Sequence, residues 1–181
     1  MNLVRIPYRF IQAWNALVTQ SAPEDQKLAH QILTPMQMNL FLHMQAGEQV
    51  HSIRILRELM NKGERHPDLM LAALLHDVGK IRHPLRIWEK AISVLGKFLS
   101  PEHAKRWGKI SVEPTVRISW WQWPFIVSEQ HADWGADLVF EAGASPLATS
   151  IIRRHQQYIA PGSDSLEDIL VQKLQSIDDH F

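Results

Sequence analysis

The segment PDLMLAALLHDVGK, residues 67–80, constrains the fold more than any other stretch of the chain. After Pro67 and Asp68 it runs Leu69, Met70, Leu71, Ala72, Ala73, Leu74 and Leu75 without a polar residue. Pro67 suits a first helical turn, and strong helix formers fill the turns that follow. A helix that is apolar all round has no solvent face, so it belongs at the centre of a domain with other elements packed around it. The predicted helix spans Asp68 to Val78, with Gly79 as its C-terminal cap. His76 and Asp77 therefore sit at the end of a buried helix. Burying such groups is costly unless they are paired or bound to a metal ion. A core histidine beside a capping aspartate is the plain alternative, and the pair alone does not separate the two.

The remaining segments also read as helix. Residues 5–19 form an amphipathic candidate, followed by Ser21-Ala22-Pro23-Glu24, a capping box with a break. Thr34-Pro35-Met36-Gln37 is a second start signal, opening a helix that carries Leu40, Phe41 and Met44. A helix from about Glu48 to Asn61 points Ile55, Leu56 and Leu59 at the core and stops at Lys62-Gly63. Pro84 to Leu99 has Trp88, Ile92, Leu95 and Leu99 on one stripe. It is read as a core helix with a basic edge (Arg86, Lys90, Lys97), the alternative being a helix on an anionic membrane surface. Ser100-Pro101 and Ser145-Pro146 look like N-caps followed by proline. Residues 109–127 read as a loop with a short strand, since Val116, Ile118 and Trp120 alternate between Pro114 and Pro124. Its aromatic cluster (Trp120, Trp121 and Trp123, with Phe125 and Ile126) is read as anchoring that loop to the core, the alternatives being a substrate lid, a base-stacking wall or a membrane-facing wedge. Helices are expected again at 128–143, 146–157 and 165–179, with Pro161-Gly162 breaking the last two. The expected fold is all-α, a single-domain helical bundle in which residues 1–46 pack as N-terminal helices on a core domain of 47–181.

Composition narrows the chemistry. The 181 residues include no cysteine, which excludes disulfides, thiolate metal sites and cysteine nucleophiles. Ten histidines leave nitrogen and oxygen ligation open. A formal net charge of zero argues against dedicated nucleic-acid binding. The charge is unevenly spread, however. Lys80 to Arg117 holds nine basic and three acidic residues, whereas Ser128 to Phe181 holds three basic and nine acidic. A basic middle and an acidic end suggest a local anion site. No stretch has transmembrane length and no secretory pattern opens the chain, so the expected location is the cytoplasm.

Other residues can join His76 and Asp77. His51 lies one helix earlier, Lys80 two residues past the helix, His131 at the head of a later helix, His155 near the end of another, and Asp178-Asp179 on the last. Imidazoles and carboxylates on separate helices are what a divalent-metal site in a bundle requires. The order H…HD…H…H…D resembles the HD superfamily of metal-dependent phosphohydrolases over about residues 47–181. AALLHDVGK (72–80) is similar to that family's core motif, and HADWGADLV (131–139) and IIRRHQ (151–156) resemble its later histidine segments. The chain also looks like the small stand-alone HD proteins.

The resemblance implies a helical bundle of the HD-domain and phosphodiesterase type. It implies that His51, His76, Asp77 and Asp178 bind a first metal, with Asp179 as the alternative to Asp178. Asp77 would bridge to a second metal held by His131 and His155. Lys80 would contact a phosphate oxygen, and Asp77 and Lys80 would be the catalytic pair. Apart from the resemblance, Arg82 and Arg86 are candidates to offset phosphoryl charge beside Lys80, and the Arg153-Arg154 pair next to His155 is read either as supplying one phosphate ligand, Arg154, or as solvated surface. The cofactor is one or two divalent ions among Mn, Fe, Mg, Co, Ni and Zn. The expected reaction is hydrolysis of a phosphate ester, such as a nucleotide or cyclic nucleotide, by metal-activated water. A di-iron oxygenase of the same ligand order and a non-catalytic nucleotide-binding module are the alternatives. The expected partner is a small phosphorylated substrate, with a homodimer left open. The chain departs from the cyclic-di-nucleotide branch in two ways: Gln156 follows His155 where a second histidine is usual, and the Gly-Tyr-Pro signature is absent. Gly47 stands where some members carry a glutamate for a third metal. The remaining histidines, His30, His43, His66, His83, His103 and His180, are read as structural or exposed.

Overall fold

The apolar run at 69–75 is helical, and all seven of its residues are buried. The computed structural model describes residues 23–113, 116–160 and 162–181. The helix expected at 5–19 lies outside them, as do Ser21, Pro114 and Pro161. Nine α-helices follow one another among the described residues. They are α1 (Pro23–Ile32), α2 (Pro35–His43), α3 (Ala46–Asn61), α4 (Pro67–Leu75), α5 (Ile87–Leu99), α6 (Pro101–Gly108), α7 (Trp123–Glu141), α8 (Pro146–Arg154) and α9 (Leu166–Asp178). Helical turns of the tighter 3-10 type cover Val78–Arg82 and Trp120–Gln122. The fold is thus the expected helical bundle.

Helix α4 is its axis, packed on by α1, α2, α3, α8 and α9. Ala29 and Leu33, at the end of α1, share one apolar cluster with Phe41 of α2, Ile55 and Leu56 of α3, Ile151 of α8 and Leu174 of α9. Burying side chains of this size contributes about 1.5–3 kcal/mol each. The described N-terminal helices therefore complete the core that holds the later ones.

Several boundaries follow local chemistry as expected. Thr34 and Gln37 form a reciprocal capping box, the Thr34 amide donating to Gln37 Oε1 at 3.0 Å and the Gln37 amide to Thr34 Oγ1 at 3.4 Å. Ser145 Oγ accepts from the Ala148 amide at 3.0 Å. Gly63 takes a left-handed φ of +84° after α3, which costs glycine nothing and other residues about 1–2 kcal/mol.

Four expectations change. First, α4 stops at Leu75 rather than at Val78, and the backbone tightens through His76 and Asp77 into the 3-10 turn. Gly79 lies inside that turn and has no left-handed φ, so it is not a helix cap. It is a point of close approach: a Cβ there would lie 1.9 Å from the His131 carbonyl oxygen and 2.6 Å from the Gly135 nitrogen. Second, the described residues before α7 hold no strand. The alternating Val116 and Trp120 are exposed, and no neighbouring strand exists among the described residues to pair with them. Pro124 lies instead in the first turn of α7, which starts at Trp123 rather than at residue 128. Third, α8 ends at Arg154, with His155 as its C-cap. Fourth, α5 is not a core helix. Its one fully buried residue is Ser93, while Trp88, Leu95 and Leu99 of the expected core stripe are exposed.

A candidate metal centre

Five separate pieces of chain bring the predicted ligands together. His51 comes from the middle of α3, His76 and Asp77 from the tightened turn after α4, and His131 from the middle of α7. His155 caps α8, and Asp178 is the last residue of α9. Two groups result, His51–His76–Asp178 and Asp77–His131–His155, and within each the ligand atoms all lie within 4.8 Å of one another. Asp178 is the residue that faces the cluster, and Asp179 is exposed.

The hydrogen bonds fix how the imidazoles are presented. Nδ1 of His76 lies 3.2 Å from the Ala73 carbonyl, that of His131 2.8 Å from Val127, and that of His155 2.7 Å from Ile152. A carbonyl oxygen only accepts, so each Nδ1 carries the proton and donates it. Each Nε2 then offers a bare lone pair. Backbone carbonyls orient metal-ligating histidines in the same way.

Those lone pairs converge. His131 Nε2 and His155 Nε2 are 3.3 Å apart, and His131 Nε2 lies 3.2 Å from Asp77 Oδ1. His76 Nε2 is buried with no hydrogen-bond partner, 3.6 Å from Asp77 Oδ2 and 3.8 Å from Asp178 Oδ1. His51 Nε2 is 2.8 Å from the same Asp178 oxygen. Such a convergence of imidazole and carboxylate atoms is one that could hold a metal ion. Donors around an ion at about 2.1 Å stand roughly 3.0–3.4 Å apart; the 3.3 Å and 3.2 Å spacings at His131 fall in that range, and the 2.8, 3.6 and 3.8 Å spacings around His51, His76 and Asp178 lie on either side of it. The two Asp77 oxygens face different groups, as a bridging carboxylate does.

Burial disfavours protonation at two of these imidazoles. Burial lowers the His76 pKa despite Asp77 and Asp178 nearby. Burial, with His76 and His131 adding to it, pushes His155 down to about 3. Burial alone pushes the Asp77 carboxyl up, but Lys80, His76 and His131 outweigh it and hold it well below the usual carboxylate range. The Asp178 carboxyl is likewise held low, as the His51 hydrogen bond and His76 outweigh its burial. Burial thus favours the neutral forms of His76 and His155, and the surrounding groups favour the ionised forms of Asp77 and Asp178, the forms in which such groups ligate metals.

Lys80 lies beside it, its ammonium 2.5 Å from Asp77 Oδ2. Burial lowers the pKa of this ammonium, and Asp77 and Glu48 more than reverse that, so it stays charged. A cavity of about 400 Å³ opens on His51, Asp77, Lys80 and His131. Glu48, Lys90, Lys97, Val94, Ser128 and Gln156 also line it. Arg82, Arg86 and Arg154 do not. The Arg82 guanidinium sits over the Trp134 ring at 5.9 Å, and Arg154 is paired with Glu167 and, at 2.5 Å, Asp168.

Glu48 is the main residue missed from sequence. It is buried, bonded to the Lys90 ammonium at 3.1 Å, and lies one turn before His51 on the cavity side of α3. The three-residue spacing from His51 was the available signal. Among the other histidines, His83 stacks on Trp123 with ring centroids 4.0 Å apart, and His103 bonds Ser100 Oγ at 2.6 Å. Among the described residues no helix is long and apolar enough to cross a membrane. Compared with protein-family models, curated proteins and solved structures, the chain shows no significant match to any of them.

Proposed function

We propose that this chain is a metal-dependent phosphohydrolase of the HD type, cleaving a phosphate ester by attack of water. The observation that carries the reading is the pair of converging ligand groups joined by Asp77 and flanked by a charged lysine at the floor of one cavity. His51, His76 and Asp178 would hold one ion, and His131 and His155 a second, with Asp77 between them. Divalent ions supply Lewis acidity and lower the pKa of a coordinated water from about 15.7 toward 7. The chain's own part is threefold. The carbonyls of Ala73, Val127 and Ile152 hold the imidazoles in the ligating tautomer. Asp77 stays ionised and positions the Lys80 ammonium. Lys80 offsets negative charge on the phosphoryl oxygens as the ester bond breaks.

A second reading has its own support. Each group offers two imidazoles and one carboxylate, the donor set of non-haem iron oxygenases. One experiment separates the two: metal analysis of the purified protein, phosphate release from a panel of phosphomonoesters, cyclic nucleotides and nucleoside triphosphates, and dioxygen uptake. The hydrolase reading expects metal-dependent phosphate release that falls at least about 100-fold in His76→Ala. Bound iron with dioxygen uptake and no phosphate release selects the oxygenase. A protein that takes up no divalent metal contradicts both.

A further inference from the structure

Helix α5 presents to solvent what a core helix hides. Val94 is 71% exposed, Leu95 58%, Phe98 82% and Leu99 69%, and Ile87 and Trp88 are also open. Trp120 meets Trp88 edge-on at 5.6 Å between centroids and widens the patch. Apolar patches of this kind mark interaction surfaces rather than ordinary exposed residues. At 100° per residue, Lys90, Ser93, Val94 and Lys97 share one side of α5, and all four line the cavity of the metal centre. Ile87, Ala91, Leu95 and Phe98 continue round the helix from Val94. The cavity wall and the exposed apolar stripe therefore meet along a seam at Val94. From Arg86 to Lys109, across α5 and α6, the chain has six basic residues and two acidic ones.

From this continuity we infer that the site acts on a lipid phosphate monoester, and that α5 lies on the anionic membrane surface that presents it. The inference rests on the phosphohydrolase reading and names its substrate class. An amphipathic helix with basic residues beside a stripe containing tryptophan suits the interface between headgroups and acyl chains. The phosphate enters the cavity past Lys97 toward Lys80, while the tail stays against Val94 and Leu95. Water adds to phosphorus and the bond from phosphorus to the lipid oxygen breaks. The leaving oxygen takes a proton that the water supplied, giving inorganic phosphate and the lipid alcohol. A soluble phosphorylated metabolite has no use for the apolar stripe. A second copy of the chain would bury the stripe but would bring together two basic faces.

The test uses the full chain with sedimentation on phosphatidylcholine vesicles, with and without phosphatidic acid, and phosphate release from those vesicles and from soluble glycerol 3-phosphate and p-nitrophenyl phosphate. Phe98→Glu and Leu99→Glu, both outside the cavity lining, are the informative variants, with helix content as the folding control. The expected result is sedimentation and turnover with phosphatidic acid vesicles. Each variant should weaken both by about tenfold or more, with turnover of any soluble ester unchanged. Metal-dependent turnover of a soluble ester without vesicle binding overturns the lipid assignment and leaves the hydrolase reading standing. Light scattering that shows a dimer broken by Phe98→Glu, without vesicle binding, overturns it in favour of a second copy. Vesicle binding without metal uptake or turnover of any ester overturns the hydrolase reading and the substrate with it.

Discussion

His76 shows how much one side chain commits. Its Nδ1–H is spent on Ala73, its Nε2 has no hydrogen-bond partner, and it is 1% exposed. Truncation removes this proposed ligand without opening the helical core. His76→Ala should lose metal and turnover while its far-ultraviolet circular dichroism stays that of the parent. Retention of full metal content in this variant would falsify the ligand assignment. Arg154 makes the opposite case. It is clamped to Glu167 and Asp168, which Ser150 and Ser163 also bond, so its work is to tie α8 to α9. Arg154→Ala should lower the melting temperature and leave KM for phosphate esters unchanged, whereas a raised KM would place it at the substrate. The residues that converge in the two groups were legible from type and order. The neighbours Asp178 and Asp179 were separable only by the helix face each takes. Whether an arginine reaches the cavity depends on its nearest carboxylate in space, which spacing does not reveal.

At the scale of elements, legibility followed local chemistry. Thr34, Ser145 and Gly63 mark their boundaries because capping and a left-handed turn involve only adjacent residues. Helix α4 was readable because an all-apolar helix has one place to go. Gly79 was misread because its reason is another helix: α7 passes so closely that the His131 carbonyl occupies the space of a Cβ. Gly79→Ala should therefore destabilise the protein by about 1–3 kcal/mol and shift the His131 ligand, seen as a lower melting temperature together with weaker metal binding. A melting temperature equal to the parent's would show that α7 yields without cost. Helix α5 was misread for the converse reason. Its apolar stripe has the pattern of a core helix, and periodicity does not distinguish a protein core from another apolar phase.

Across the whole molecule, burial in the bundle favours neutral His76 and His155, and neighbouring groups favour ionised Asp77 and Asp178. Stability without metal should show this. Unfolded histidines take up protons near 6.5, whereas His76 does so only at lower pH and His155 at about 3. Below about 6.5 the unfolded chain binds more protons than the folded one, so folding stability present at neutral pH is lost as pH falls toward about 3. Asp77 and Asp178, whose folded values lie below the ordinary 3.8, add a loss of the same sign at the acid end. Urea unfolding of chelator-treated protein should give a midpoint that drops steadily over this window. A midpoint flat across it would mean that the histidines titrate normally.

The proposed metal centre is tested most directly by crystals grown with manganese, iron or zinc, with diffraction recorded on both sides of each metal's absorption edge. The expected result is an anomalous peak about 2.0–2.3 Å from the Nε2 of His76, with a second between His131 and His155 if the centre is binuclear. Metal-soaked crystals with no such peak at these residues, or with the peak on other side chains, would contradict a metal centre here and the chemistry drawn from it.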